Sequence, residues 1–123
     1  DGYTPLHIAC GKGNVEILRL LVESKAKLEA SERKYGKTPF LYACYRGKLA
    51  VVQYLVKVKA NVKAVDRYGD GPLHNAVLGQ DVSTVKYLMV NGEHDINAVT
   101  KDGYTPLHIA CGKGNVEILR LLV

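Results

Sequence analysis

The chain has 123 residues, of which 47% are hydrophobic and 24% charged, and its formal net charge is +5. This length suits one folded domain, and no apolar run approaches the roughly 20 residues that a membrane-spanning helix needs. The three cysteines are an odd number without the spacing of a disulfide framework. They argue against a secreted disulfide-rich protein and favour an intracellular one, cytoplasmic or nuclear.

The chain is built from internal repeats. Residues 1–22 recur without change as residues 102–123, and a Thr-Pro or Gly-Pro pair recurs at intervals of 34, 33 and 34 residues. These pairs divide the chain into units of residues 1–34, 35–67 and 68–101 and a partial unit of residues 102–123, named units one to four below. Repeats of this length indicate a solenoid, with no residue left for a linker or signal peptide. The unchanged copy indicates duplication of a sequence block, in the gene or by engineering.

Each unit begins with signals for a short helix. In unit one, Thr4 is a suitable N-cap and Pro5 fits the first helical position, where its missing N–H is no loss. Gly13 suits the left-handed residue that often closes a helix. We therefore predict a first helix that starts at Pro5 and ends near Lys12.

A second helix should follow directly. Asn14, Asp81 and Asn115 are good N-caps at its start, whereas unit two has Lys48 at the same position. Apolar residues then recur at the three- and four-residue spacing of a buried helical face. The last ten or so residues of each complete unit lack this periodicity, and a Gly follows shortly after, which indicates an extended, hairpin-like connection.

The motif Asp-Gly-x-Thr-Pro-Leu-His-x-Ala, followed by Gly-Asn-Val-x-Ile-Leu-x-Leu-Leu, resembles the ankyrin repeat. The resemblance covers the whole chain and implies an all-α ankyrin-repeat solenoid, a single domain of helix-turn-helix units joined by hairpin loops. The middle units depart from the motif. Leu41 replaces the histidine in unit two, while Gly71 replaces the threonine and Gln80 the inter-helix glycine in unit three.

Cysteine and histidine side chains are the usual ligands of zinc in proteins. His7 and Cys10 lie three residues apart on one helix, but zinc prefers four ligands and no Cys-x-x-Cys pair supplies the rest. We expect Cys10, Cys44 and Cys111, which share one helical position, to lie in the core. The resemblance implies that the motif histidines bond to nearby groups of the chain, and His94 is expected to be an exposed loop residue. No nucleophilic triad or phosphate loop is evident, so we expect no enzymatic activity, metal or cofactor.

The resemblance implies a non-catalytic scaffold that binds a partner protein or peptide on its concave face, through loop tips and the ends of first helices. The predicted tip residues are Tyr3, Arg33, Lys34, Tyr35, Lys37, Arg67, Tyr68, Asp70, Lys101, Asp102 and Tyr104. The predicted helix-end residues are Lys12, Tyr45, Arg46, Leu78 and Lys113. Tyrosine and arginine are enriched at the residues that dominate protein interfaces.

Net charge is concentrated in unit two, which carries +6 while the other three units together carry −1. This pattern favours an acidic partner segment that contacts units one to three. Two alternatives stay open. The first is end-to-end association of the chain through apolar residues of its uncapped terminal units. The second is binding of nucleic acid through tyrosine and basic residues of unit two, which the net acidic charge of unit three makes less favourable. No contact with a membrane is expected.

Overall fold

A computed structural model describes residues 2–91 and 95–123. Within these residues the chain forms eight helices, two in each unit, and no strand. The helices are α1 Pro5–Lys12, α2 Val15–Glu23, α3 Pro39–Arg46, α4 Leu49–Lys57, α5 Pro72–Gly79, α6 Val82–Val90, α7 Pro106–Lys113 and α8 Val116–Leu122. The predicted all-α arrangement of helix-turn-helix units is confirmed. In this described part of the chain, no helix is both long and apolar enough to cross a lipid bilayer.

The first helix of unit one has the predicted bounds. The Thr4 hydroxyl accepts a hydrogen bond from the His7 N–H at 3.3 Å, and Pro5 occupies the first helical position. Helix α1 ends at Lys12, and Gly13 follows with a φ of 77°. Glycine adopts this left-handed conformation without a steric penalty, so the helix stops where the glycine stands.

Unit three forms the same helix with different capping residues. Gly71 has no hydroxyl to offer, and the remaining cap is the bond from the Gly71 N–H to Nδ1 of His74, at 3.2 Å. Gln80 closes α5 with a φ of 62°, in the left-handed region. The missing threonine and glycine of the motif therefore change the capping chemistry and leave the helix in place.

The second helices start at the predicted caps. The side chains of Asn14, Asp81 and Asn115 each accept a hydrogen bond from the third backbone N–H of the helix that follows. Lys48 forms no such bond at the start of α4. All four helices nevertheless form, which indicates that packing of their apolar faces outweighs one missing cap.

The loop tips are tight turns that bond to one another. The Asp66 N–H donates to the Asp70 carbonyl at 3.0 Å and closes one tip. The Arg67 N–H then donates to the Tyr35 carbonyl of the preceding tip at 2.9 Å, and the same bond joins the next pair of tips. Gly36 has a φ of 72°, and a Cβ there would lie 3.1 Å from the Arg67 nitrogen. Glycine is needed because adjacent tips approach so closely.

The helices stack in two rows, α1, α3, α5 and α7 in one and α2, α4, α6 and α8 in the other. The core runs between the rows, and its fully buried side chains come from all four units, among them Leu18, Phe40, Leu88 and Ile118. Helices α3 and α5 approach each other closely at Gly79. A Cβ on this glycine would lie 2.0 Å from the carbonyl oxygen of Tyr45.

The two terminal units show that burial depends on neighbours. Cys10 and Cys44 are buried as predicted, whereas Cys111 is exposed. The prediction that all three thiols lie in the core is therefore wrong for Cys111. Its helix α7 packs on α5 on one side, and no further unit of the described chain covers the other side.

Candidate partner-binding groove

A groove with a volume of about 240 Å³ crosses the face formed by the loop tips and the first helices of units one to three. Five of its eight lining side chains are tyrosines, and we call it the tyrosine groove. Its lining residues are Tyr3, Tyr35, Lys37, Tyr42, Tyr45, Tyr68, Asp70 and Leu78. Seven of these eight were predicted from the sequence.

The tyrosines contact one another in pairs from neighbouring units. The ring centroids of Tyr3 and Tyr42 lie 5.1 Å apart, and those of Tyr35 and Tyr68 lie 6.4 Å apart. Such tilted ring pairs are mutually stabilising and leave part of each ring uncovered. The groove wall is therefore a set of aromatic surfaces that are already ordered without a partner.

A buried ion pair forms the floor of the tyrosine groove. The Lys37 ammonium lies 2.7 Å from a carboxylate oxygen of Asp66 and also donates to the side-chain oxygen of Asn75. It lies beneath the rings of Tyr35 and Tyr45, 5.9 and 5.4 Å from their centroids. Lys37 is only 7% exposed, so the expectation that it projects from a tip toward a partner needs correction. Its ammonium instead joins unit two to unit three.

The pKa values of two carboxyl groups beside this floor are shifted in opposite directions. Burial raises the pKa of Asp70, and the neighbouring Asp66 carboxylate adds to the effect. Burial alone would also raise the pKa of Glu32. The Glu32 carboxylate, however, accepts hydrogen bonds from the backbone N–H groups of Lys37 and Tyr35, at 2.8 Å each, and these bonds lower its pKa overall. Glu32 is thus a structural carboxylate that holds its turn. Asp70 was predicted as a contact, and its side chain is mostly buried in the groove wall.

A second groove of about 250 Å³ adjoins the first and shares Tyr3 and Tyr42 with it. Lys12 and Arg46, both predicted from the sequence, line this groove and are exposed. Arg46 donates a hydrogen bond to the Tyr42 hydroxyl at 3.0 Å. The two grooves together give an aromatic channel with a basic end.

The other predicted contacts lie outside both grooves. They are the exposed tip residues Arg33, Lys34, Arg67, Lys101, Asp102 and Tyr104 and the exposed helix-end residue Lys113. Among the described residues, the ion pair of Lys37 with Asp66 is the only salt bridge, so the guanidinium and ammonium groups of these tips are not neutralised by a carboxylate of the chain there. Arg67 and Lys101 each donate a backbone hydrogen bond, at 2.9 Å, to the carbonyl of a groove tyrosine, Tyr35 and Tyr68 respectively, so these tips place positive charge next to the tyrosine groove.

The motif histidines hold neighbouring units together. Nε2 of His7 donates to the Lys37 carbonyl at 2.8 Å, and Nδ1 accepts from the Thr4 N–H at 3.1 Å. Burial lowers the pKa of His7, which keeps the ring neutral for this pair of bonds. No cluster of three or more potential metal ligands occurs in residues 2–91 and 95–123. His94 lies outside the described residues.

Comparison with known proteins identifies the family. Residues 1–66 and 58–123 match the family model for ankyrin repeats (3 copies). The chain belongs to the ankyrin-repeat family. It is 31% identical over 124 residues to the probable 26S proteasome regulatory subunit p28 of Saccharomyces cerevisiae, an alignment that covers 100% of this chain and 54% of that protein.

Two other relatives are much longer than this chain. The chain is 32% identical over 124 residues to the nuclear factor NF-kappa-B p105 subunit of Mus musculus, covering 98% of the chain and 13% of that protein. It is 32% identical over 122 residues to alpha-latrotoxin-Lg1a of Latrodectus geometricus, covering 99% of the chain and 6% of that protein. The chain thus spans from 6% to 54% of the length of these three relatives. Ankyrin-repeat proteins generally act as protein-interaction scaffolds and are typically non-catalytic.

Sequence reasoning missed one residue of the tyrosine groove, Tyr42, and also Ile8 and Gly11 of the second groove. Tyr42 lines both grooves of this ankyrin-repeat chain, yet only the end of α3 was predicted to contribute. Tyr42 and Tyr45 are three residues apart and therefore lie on one face of α3. That spacing, applied to the predicted Tyr45, would have found Tyr42.

Proposed function

We propose that the chain is a non-catalytic binding module that holds a short acidic segment of a partner protein in the tyrosine groove. The observation that carries this proposal is the meeting of five tyrosine rings from units one to three in one groove. Ordered aromatic side chains bind with little loss of conformational entropy, and tyrosines dominate many interfaces for this reason.

The charge of the partner segment follows from the surroundings of the groove. Arg67 and Lys101 are bonded through their backbone N–H groups to the carbonyls of the groove residues Tyr35 and Tyr68, and Lys12 and Arg46 line the adjoining groove. A segment with carboxylates flanking an apolar or aromatic anchor would place the anchor between the rings and its charges near the exposed cations. Because the edge is exposed, these charge pairs contribute more to association rate and selectivity than to affinity.

A peptide array tests the proposal. We expect short acidic peptides with a central leucine, phenylalanine or tyrosine to bind, and the same peptides with lysine in place of each acidic residue to fail. Tyr68 and Tyr104 provide a matched pair for the bound peptides, because both are loop-tip tyrosines and each is 53% exposed. Only Tyr68 lines the groove.

In fluorescence anisotropy titrations, Tyr68→Ala should weaken binding about tenfold or more, as expected for a central aromatic contact, whereas Tyr104→Ala should leave it nearly unchanged. Equal losses in the two variants would contradict the groove as the binding site. A single-stranded oligonucleotide is the probe for the alternative partner. Binding of that probe with a steep loss of affinity in salt would favour nucleic acid instead.

End-to-end self-association is a second candidate function, favoured by apolar side chains exposed in both terminal units. Leu20 of unit one and Val116 of unit four are each more than half exposed. Exposed apolar faces of this kind mark association surfaces. Sedimentation velocity over a wide range of chain concentration tests this candidate, and a monomer throughout that range would contradict it.

The proposal places the protein inside the cell, in the cytoplasm or nucleus. Cys10, Cys44 and Cys111 are all free thiols, which suits a reducing compartment. Two relatives are named as a nuclear factor and a proteasome regulatory subunit. Recovery of the tagged parent protein from the culture medium of intact cells would contradict this part of the proposal.

A further inference from the structure

Of the three carboxylate side chains that are buried in the described part of the chain, one has no bonding partner. Asp66 pairs with the Lys37 ammonium at 2.7 Å and accepts the backbone N–H groups of Tyr68 and Asp70 at 3.0 Å each. Glu32 accepts the two backbone bonds described above. Asp70 is only 8% exposed, yet within the described residues its carboxylate accepts no hydrogen bond and forms no salt bridge.

The Asp70 carboxylate faces the open space of the tyrosine groove. Its side chain lines the groove, and among the described residues no fully buried side-chain oxygen or nitrogen is left without a hydrogen bond. The two carboxylate oxygens, which have no such bond, therefore keep contact with that space. Burial raises the pKa of Asp70, and no hydrogen bond offsets this loss of solvent around the charge. Such an anion is stabilised by any cation that reaches it.

The groove floor carries one excess negative charge when Asp70 is ionised. The Lys37 ammonium does not supply the missing cation, because Asp66 and Asn75 hold it. His74 does not supply it either, since one of its ring nitrogens accepts a backbone N–H while the other donates to a backbone carbonyl, as in the neutral ring. The charge of the floor is therefore complementary to a cation from outside the chain.

The chain already contains one cation site built from a carboxylate and tyrosine rings. The Lys37 ammonium lies beneath two of the rings and against Asp66. Asp70 occupies in unit three the position that Lys37 has in unit two, two residues before the motif proline. Tyr3 and Tyr68 line the same groove as Asp70, and no cation of the described residues lies over either ring. The groove thus has a second carboxylate and further rings for a second cation.

We propose that the anchor of the bound segment is a lysine, whose ammonium pairs with the Asp70 carboxylate and whose stem packs on the tyrosine rings. This inference rests on the proposed function and names the residue at the centre of the segment. An ammonium donates strong hydrogen bonds to a carboxylate and is attracted to aromatic faces. Leu78 provides apolar contact for the stem. An apolar anchor would cover Asp70 without pairing it, so lysine should bind more tightly.

The central lysine and the flanking acidic residues of the segment use different parts of the surface. The exposed cations Arg67 and Lys101 lie next to the groove, whereas Asp70 lies within it. The segment is bound with its cation inside the groove and its carboxylates outside. A segment with the opposite order of charges would place like charges together at both places, which gives the site its selectivity.

Two nine-residue peptides that differ only at the centre test the inference. Both have glutamates on either side, and the central residue is lysine in one and norleucine in the other. Norleucine keeps the four-carbon stem of lysine and lacks the ammonium. In fluorescence anisotropy titrations at pH 7, we expect the lysine peptide to bind about tenfold or more tightly. This preference should disappear in Asp70→Asn, because the amide keeps the shape of the carboxylate and removes its charge.

Glu23→Gln is the matched control for the change in net charge. It removes one negative charge at an exposed residue that lines neither groove, so the preference for the lysine peptide should persist. Circular dichroism of Asp70→Asn in the same buffer checks that this variant is folded. The comparison of the two peptides on the wild-type chain tests the inference without any variant.

The lysine anchor and the proposed function fail in different ways. Equal affinity of the wild-type chain for the two peptides overturns the lysine anchor, and so does a lysine preference that survives Asp70→Asn. In either case a norleucine peptide that binds and is weakened by Tyr68→Ala still supports the tyrosine groove as the binding site. Binding of neither peptide contradicts the proposed function and the lysine anchor together.

Discussion

The motif histidines offer a measurement of what one contact between units contributes to stability. His7 and His108 have the same neighbours in sequence and form the same local bonds with the threonine three residues before them. Only His7 also bonds to the next unit, through Nε2 and the Lys37 carbonyl at 2.8 Å. Substitution by alanine therefore removes the same local interactions at both positions. The difference in unfolding free energy between the two variants measures the contact between units one and two.

The structure sets the expected magnitudes. His108→Ala removes part of a helix cap at an exposed site, a loss of about 0.5–1 kcal/mol. His7→Ala removes the same cap, a buried hydrogen bond to unit two and ring packing against Tyr42 at a centroid distance of 6.3 Å. The ring contact of His7 with Tyr3 has its counterpart between His108 and Tyr104 and does not contribute to the difference. Together these losses come to about 2–4 kcal/mol in the free energy of unfolding.

Urea unfolding followed by far-UV circular dichroism measures both variants. The protein concentration is kept low enough that wild type, His7→Ala and His108→Ala all sediment as monomers, so that association does not contribute. We expect a lower urea midpoint for His7→Ala than for His108→Ala, with the urea dependence of the unfolding free energy unchanged. Equal midpoints would refute the claim that the His7 bond to unit two stabilises the fold.

Three further substitutions test the groove floor and the helix ends by the same assay. Lys37→Met should destabilise the chain by about 3–5 kcal/mol, because it leaves the buried Asp66 carboxylate without its cation, while Lys63→Met at an exposed site should leave the midpoint unchanged. Asp70→Asn should raise stability at pH 7, since the raised pKa of Asp70 means that its ionised form is penalised in the folded state. This gain should shrink as the pH falls through the raised pKa and vanish below the ordinary value of 3.8. A gain in stability of Asp70→Asn that grows at low pH would contradict the raised pKa of Asp70. Gln80→Gly should raise stability by about 0.5–1 kcal/mol, because Gln80 holds a φ of 62° that glycine adopts without strain, and an unchanged midpoint would show that no strain is stored there.

The helix bounds could be predicted because local residues determine them. Thr4, Pro5 and Gly13 act on their own backbone and immediate neighbours, so their effect can be inferred without knowing what packs nearby. The same reasoning gave the caps Asn14 and Asp81. The proline recurs in every unit and the other signals in most of them, and the architecture follows from their period.

The role of Lys37 could not be predicted in this way. Its ammonium meets Asp66 at the far end of the same unit and Asn75 in the next unit, and nothing in the residues around Lys37 indicates that these groups converge. Cys111 shows the same limit in another form. It has the same sequence neighbours as Cys10, yet one is exposed and the other buried, because burial in a stacked fold is decided by the adjacent unit.

The close approach of α5 to the carbonyl of Tyr45 at Gly79 makes the width of the tyrosine groove adjustable from outside it. Tyr45 and Leu78 line the groove on these two helices, and any side chain larger than hydrogen at Gly79 would push the helices apart there. A change at this one position would alter the curvature of the stack and the span between the aromatic walls while leaving every lining residue as it is. The size of a bound segment and the chemistry that recognises it can therefore evolve separately in this chain.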